Sequence, residues 1–159
     1  MARKPGDALL DQEHAMSERR DDGKLLMTRV KRQPGAMYLL GYAIECALKR
    51  YIMRRLGVAN LEAARNALAE SHSLKVNLSS DHNLERLFAL AEAVGLKRGD
   101  DVALQEARSI VFRWTVDWRY MRRSVSPADA HYFGRQVDVL YQWVNAQLRR
   151  RPPGGGRRP

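Results

Sequence analysis

The sequence predicts an all-α protein, an up-and-down bundle of four to five helices. Three observations carry that expectation. Apolar residues recur at three- and four-residue spacing through most of the chain. No stretch alternates apolar and polar residues for long enough to make a strand. Helix starts and stops punctuate the chain, among them Gly57, Asn60, Gly95 and the run Ser126-Pro127-Ala128-Asp129. At 159 residues, 45% of them hydrophobic, the chain reads as one domain with tails.

Residues 1–23 are rich in charge, include Pro5, Gly6 and Gly23, and hold no sustained apolar stripe. They read as a flexible or partly helical N-terminal arm, with a short helix around residues 8–20. The bundle itself reads as residues 24–150. Its first helix, 24–33, carries Leu25, Leu26 and Val30 and is stopped by Pro34 and Gly35. The second runs from about 35 to 56 and ends at Gly57, a residue suited to a left-handed C-terminal cap. The third, 60–70, has Asn60 as cap and Leu61, Ala64 and Leu68 on one face.

Residues 71–80 form a polar connector. Asp81 then caps a helix bearing Leu84, Leu87, Phe88, Ala91 and Val94, which stops at Gly95. Residues 100–118 follow with Ala103, Ala107, Ile110, Val111, Trp114 and Trp118 at helical spacing. The last helix has Ser126 as cap, Pro127 in its first turn and Phe133, Val137, Leu140, Tyr141, Val144 and Leu148 on one face. Residues 151–159, Arg-Pro-Pro-Gly-Gly-Gly-Arg-Arg-Pro, read as a disordered tail.

The second helix stands apart. From Ala36 to Ile44 it has no charge, a run too short to span a bilayer. Such a helix must be buried on nearly every side, at the centre of the bundle or in a dimer interface. Glu45, set between Ile44 and Cys46, therefore needs a partner. Lys49 stands four residues on, in the favourable order for an ion pair. Helical spacing also aligns Tyr38, Gly41, Tyr42, Glu45, Lys49 and Ile52 on one stripe. The first reading is a surface ion pair beside a tyrosine edge. The sharper one is a partly buried carboxylate held by Lys49 or by an arginine from another helix, and the group stands second as a candidate ligand-binding site.

The net charge of +10 permits contact with phosphates or acidic partners, but Arg149, Arg150, Arg151, Arg157 and Arg158 all lie in the last eleven residues. A single cysteine, Cys46, excludes an internal disulfide and fits a buried small hydrophobe in a reducing compartment. No leader or membrane span is visible, so the expectation is a soluble, cytoplasmic protein. His14, His72, His82 and His131 are scattered without ligand spacing, and no phosphate loop is present; neither a metal nor a cofactor is expected.

Two further groups are candidates for binding. His82 follows Asp81 at a helix opening, where a neutral imidazole could act as a general base or accept a hydrogen bond. Arg119 lies between Trp118 and Tyr120, with Arg122 and Arg123 close behind. Arginines interleaved with aromatics can stack on bases and reach phosphates, although cations at a helix C-terminus also have an ordinary structural explanation.

The run Tyr38-Leu39-Leu40-Gly41-Tyr42-Ala43-Ile44-Glu45-Cys46-Ala47-Leu48-Lys49 resembles the second-helix signature of the HEPN domains. These are helical proteins named for higher eukaryotes and prokaryotes and for proposed nucleotide binding. His82-Asn83-Leu84 with Leu87 is similar to that family's His-Asn/Asp-Leu helix opening, and Trp118-Arg119-Tyr120 resembles its Arg-Tyr segment before the last helix. The resemblance spans about residues 27–148. It implies an up-and-down bundle that forms a homodimer, in a bacterial toxin–antitoxin or defence-type system, with a nucleotidyltransferase-type partner protein. Family ribonucleases use an Arg-x(4–6)-His motif near the last helices for metal-independent cleavage. Here the sole match is Arg65 with His72, between the second and third main helices, so that motif is not carried over. The expectation is a module that binds a partner protein, a nucleotide or RNA. The alternatives are a metal-independent endoribonuclease toxin and a purely structural dimerisation bundle.

Overall fold

The computed structural model describes residues 6–120 and 124–150. Among them it is all-helical, with six α-helices where the pattern predicts four to five: α1 (Leu9–Leu25), α2 (Gln33–Leu56), α3 (Leu61–His72), α4 (Leu84–Ala93), α5 (Val102–Val111) and α6 (Pro127–Arg149). The tail at 151–159 lies outside the described residues.

Helix α1 is built where a flexible or partly helical arm is expected, and it runs into the region expected as a separate helix over 24–33, which does not form as one. It is fastened at its start by a short two-strand contact, in which Leu9 N–H donates to Ala59 O at 2.9 Å and Leu61 N–H to Asp7 O at 2.9 Å. The Asp11 carboxylate accepts from the backbone of Gly6 and Ala8 at 3.1 and 3.3 Å, satisfying donors at the helix start. Its buried positions are Gln12, Met16 and Gly23. Glu13 pairs with Arg50 at 2.5 Å, and Arg20 and Lys24 both reach Asp138 of α6 at 2.9 Å. A thin, partly polar stripe with flanking ion pairs thus does the packing.

The first expected break is also displaced. After α1 the chain makes one π-helical turn (Leu26–Val30) and reverses at Lys31, which is left-handed at φ 57°. Arg32 N–H closes that turn on Leu26 O at 3.0 Å. Pro34, read as a stop, sits in the first turn of α2, where its missing donor costs nothing.

Helix α2 is the axis of the molecule. Every residue from Ala43 to Met53 is buried, and Leu40 is wholly enclosed. Its own chain supplies the cover. Gly23 of α1 and Gly134 of α6 both approach Leu40; a Cβ on either would fall 2.8 Å from Leu40 Cγ or 2.9 Å from Met27 Cε. Helix α2 ends as expected at Gly57 (φ 69°), with Val58 N–H on Met53 O at 3.0 Å.

Contacts give the helix directions. Helix α1 runs antiparallel to α2, since Gly23 meets Leu40 while Met16 meets Arg50. Helix α4 runs parallel to α2, its leading His82 at Glu45 and its end, Val94, at Arg55. Helix α5 opposes α6, because Glu106 meets Tyr132 while Gly99 packs on Trp143. Caps at Asn60 and Ser126 form as expected, accepting from Ala63 N–H at 2.8 Å and Asp129 N–H at 3.1 Å.

Two boundaries differ. Asn83, not Asp81, caps α4, accepting from Arg86 N–H at 2.8 Å. The expected helix over 100–118 ends at Val111 and resumes as a 3₁₀ turn, Val116–Tyr120. The reason is Trp114, which turns into the core and donates Nε1–H to Tyr38 O at 3.1 Å. Its indole lies directly on Gly41, where a Cβ would come within 2.2 Å of the ring. Only glycine admits that approach.

Candidate functional site

Glu45 has the partner that its position demands. It is 1% exposed, and Lys49, one turn on and 3% exposed, donates Nζ–H to its Oε1 at 2.7 Å. The pair is buried, not a surface bridge. Its desolvation costs several kcal/mol per ion, on the order of what a close Coulombic partner and further hydrogen bonds must offset. A third group supplies the balance. His82 Nδ1 lies 3.0 Å from both Oε1 and Oε2 of Glu45.

His82 reaches α2 because of how α4 begins. Asp81, itself buried, accepts from Asn83 N–H at 3.0 Å and pairs with Arg86 Nε at 3.3 Å. Asn83 then caps the helix, so the two residues beside His82 are locked in place and its ring is aimed at Glu45. An ionised carboxylate only accepts hydrogen bonds, so Nδ1 carries the proton in this arrangement and Nε2 is the ring's other face. The His82 side chain is 40% exposed, against 2% for Glu45. The cluster is therefore a buried carboxylate that orients one imidazole toward the surface.

Next to it lie two groups whose ionisation burial suppresses. Burial first, then Cys46 and Glu45, pushes the Tyr42 phenol up to about 12. Burial, then the Glu45 charge, pushes the Cys46 thiol up to about 12. Both stay protonated at neutral pH, so neither is a ready nucleophile. Tyr42 stacks on Tyr38 with ring centres 6.2 Å apart and planes 9° from parallel, and Tyr38 stacks on Trp114 at 6.0 Å. Arg19 of α1 lies 6.0 Å from the Tyr42 ring centre. An aromatic ladder thus leads along α2 to Glu45.

Of the expected site residues, the fold brings Glu45, Lys49 and His82 together. Arg119 and Tyr120 sit elsewhere, both exposed on the 3₁₀ turn, with the guanidinium 4.7 Å from the Tyr120 ring centre. Among the described residues no hydrogen bond or ion pair joins them to Glu45. Arg122 and Arg123 lie outside the described residues. Arg65 and His72 are both exposed on α3, and Arg65 is engaged with Asn66 at 3.3 Å. Sequence reading missed Asp81 as the residue that fixes His82, and Trp114 as the cover of the stripe. Among the described residues no three His, Cys, Asp or Glu side chains converge on a metal-sized site. No helix among them is long and apolar enough to cross a membrane. Compared with family models, curated proteins and solved structures, the chain matches none.

Proposed function

We propose that this chain is a HEPN-like up-and-down helical module that acts by binding RNA, a nucleotide or a partner protein. Its setting is cytoplasmic, as a homodimer in a toxin–antitoxin or defence-type system with a nucleotidyltransferase-type partner. The resemblance along α2, the His82-Asn83-Leu84 opening and the Trp118-Arg119-Tyr120 segment supports the family reading. The antiparallel courses of α1 on α2 and of α5 on α6 agree with up-and-down order, with α3 and its connector returning the chain to the start of α4.

The observation that carries the binding reading is His82, half-exposed and held by buried Glu45. An oriented imidazole beside a tyrosine ladder can hydrogen-bond a phosphate or a hydroxyl while an aromatic edge meets a base. RNA or a nucleotide is the ligand that this combination fits best.

One observation favours cleavage as a second reading: a carboxylate-held histidine is the arrangement that positions a general base. It would take a proton from a ribose 2′-hydroxyl. Cleavage also needs a cation at the phosphate as negative charge develops there. Lys49 is buried and spent on Glu45, and Arg86 is paired with Asp81. Arg119 has no link to the cluster among the described residues. Binding is therefore the better supported activity.

Incubating the protein with tRNA and mRNA, with and without chelator, separates the readings. Bound, intact RNA is the expected result, with affinity that falls steeply as salt rises. Chelator-resistant cleavage that is lost in His82→Ala would transfer the assignment to an endoribonuclease. No binding at all would leave a structural bundle. Light scattering tests the homodimer directly.

A further inference from the structure

A second charged region lies at the other end of α2, and nothing in the HEPN-like reading uses it. A cleft of about 90 Å³ is lined by Arg54 and Arg55 from the last turn of α2, by Gln147, Arg149 and Arg150 from the end of α6, and by Tyr51. No carboxylate lines it. Clustered guanidiniums at helix C-termini have a ready structural explanation, because each terminus carries roughly −0.5 of a charge and unpaired carbonyls. Here that explanation falls short. Two termini offset only about one positive charge out of four guanidiniums. Two of the four terminal α2 carbonyls are also already taken: Gly57 N–H donates to Arg54 O at 3.3 Å and Val58 N–H to Met53 O at 3.0 Å. At α6, Arg150 N–H closes on Gln147 O at 3.3 Å.

One of the four arginines is held in place. Arg55 donates Nε–H to Val94 O of α4 at 3.2 Å, and its Nη2 lies over Gly95, where a Cβ would come within 2.8 Å. Gly95 has φ 104°, a backbone conformation that strains any side chain there and so favours the glycine beneath the guanidinium. Arg55 is thus a fixed wall of the cleft with its terminal nitrogens free of backbone duty. Arg54, Arg149 and Arg150 are exposed, and no ion pair occupies them among the described residues.

We propose that this cleft binds adjacent phosphate groups. Guanidinium pairs match phosphate oxygens two bonds at a time, which accounts for arginine rather than lysine at all four places. The size excludes a whole nucleotide, since small-molecule pockets run to about 300–1,000 Å³. Tyr51 is 2% exposed and offers no face for a base. The cleft therefore reads phosphate and not sequence, which fits either an RNA backbone or the polyphosphate end of a nucleotide. The site stands independently of His82; only the choice of RNA as one source rests on the function proposed above.

The test uses the full chain and the Arg54→Gln/Arg149→Gln double variant, with Arg29→Gln/Arg113→Gln as a control of equal charge. All four substitutions lie on the exposed surface and are mild, and melting in phosphate-free buffer checks that each variant folds. In the first arm, inorganic tripolyphosphate is expected to raise the melting temperature of the native chain and of the control, and not of the cleft variant. In the second arm, a fluorescent single-stranded RNA is expected to bind the cleft variant about tenfold more weakly at low salt. Its log affinity should also fall less steeply with log salt, by about 1.4 for two lost phosphate contacts. Tripolyphosphate protection without RNA binding would assign the cleft to nucleotide polyphosphates and would count against the RNA reading alone. The proposal is overturned if tripolyphosphate gives no protection, or if the cleft variant and the control behave alike in both arms.

Discussion

Two charge clusters sit on α2 nine residues apart, about 13 Å along the helix axis, and they are built on opposite plans. Around Glu45 one anion meets Lys49 and His82, the carboxylate is enclosed, and each carboxylate oxygen has a partner within 3.0 Å. Around Arg54 the charges share one sign, face solvent and lack an anion among the described residues. The first plan fixes geometry: a buried, balanced cluster has one low-energy arrangement, which is what an oriented imidazole requires. The second stores attraction for something outside the chain. Substitutions in the two clusters should accordingly differ in sign as well as size.

The largest effect is expected from Glu45→Gln. It leaves Lys49 buried at 3% exposure with no carboxylate, and breaking a buried pair in this way costs about 3–5 kcal/mol. Lys49→Met should cost less, because His82 remains on Glu45 as a partner. Urea denaturation of the two variants gives the order. The double variant Glu45→Leu/Lys49→Met should recover most of the loss, as apolar replacements of buried pairs generally do. Equal stability of Glu45→Gln and the native chain would mean that the cluster is hydrated and the contrast is wrong.

How much of this contrast can be read in the sequence depends on what kind of signal each part leaves. The central place of α2 is legible, because an uncharged run from Ala36 to Ile44 has no exposed option. The pairing of Glu45 with Lys49 follows from helical spacing alone. That His82 completes the cluster does not, since 37 residues and a polar connector separate it from Glu45. The packing of α1 is also hidden. Its buried face is Gln12, Met16 and Gly23, which no apolar periodicity detects, and its anchorage depends on ion pairs to α2 and α6. Trp114 misleads for a related reason. It keeps helical spacing with Ile110 and Val111, yet Gly41 offers its indole a seat that pulls the chain out of α5. A glycine on a buried helix stripe is a signal for such a seat, but it does not name the side chain that fills it.

Alkaline pH should act most on the Glu45 region, where burial pushes two groups up strongly. It should act less on the arginine cleft, where burial raises the Tyr51 phenol alone. Cys46 and Tyr42 hold their protons to about 12 in the folded chain, against ordinary values near 9 and 10. Between those values the unfolded chain binds fewer protons than the native one, so stability falls as pH rises. It is complete below about pH 9 and is lost progressively toward pH 12, at no more than about 1.4 kcal/mol per pH unit for the buried Cys46 thiol. The slope is smaller for the partly exposed Tyr42 phenol, whose charge water screens. Denaturation midpoints measured across that range should decline. Cys46→Ala with Tyr42→Phe should flatten the decline. A decline of equal slope in that variant would place its origin outside the cluster.

The smallest effect, and the one of opposite sign, belongs to Arg149→Gln. Arg149 closes α6, where the dipole favours a cation with roughly half a charge. Arg54, Arg55 and Arg150 oppose it with three whole charges across the same cleft. Repulsion outweighs the dipole, so removing Arg149 should leave stability unchanged or raise it by a few tenths of a kcal/mol at low salt. Screening reaches about 10 Å at 0.1 M salt, so added salt should stabilise the native chain by a similar amount and the variant less. The buried Glu45 cluster, closed to counterions, should contribute nothing to this dependence. A loss of stability in Arg149→Gln larger than about 0.5 kcal/mol would show that Arg149 is engaged in holding the helix end, since a lone dipole contact at an exposed terminus is worth about 0.3–1 kcal/mol. The cleft would then be a structural feature like the Glu45 cluster, and the two plans would be one.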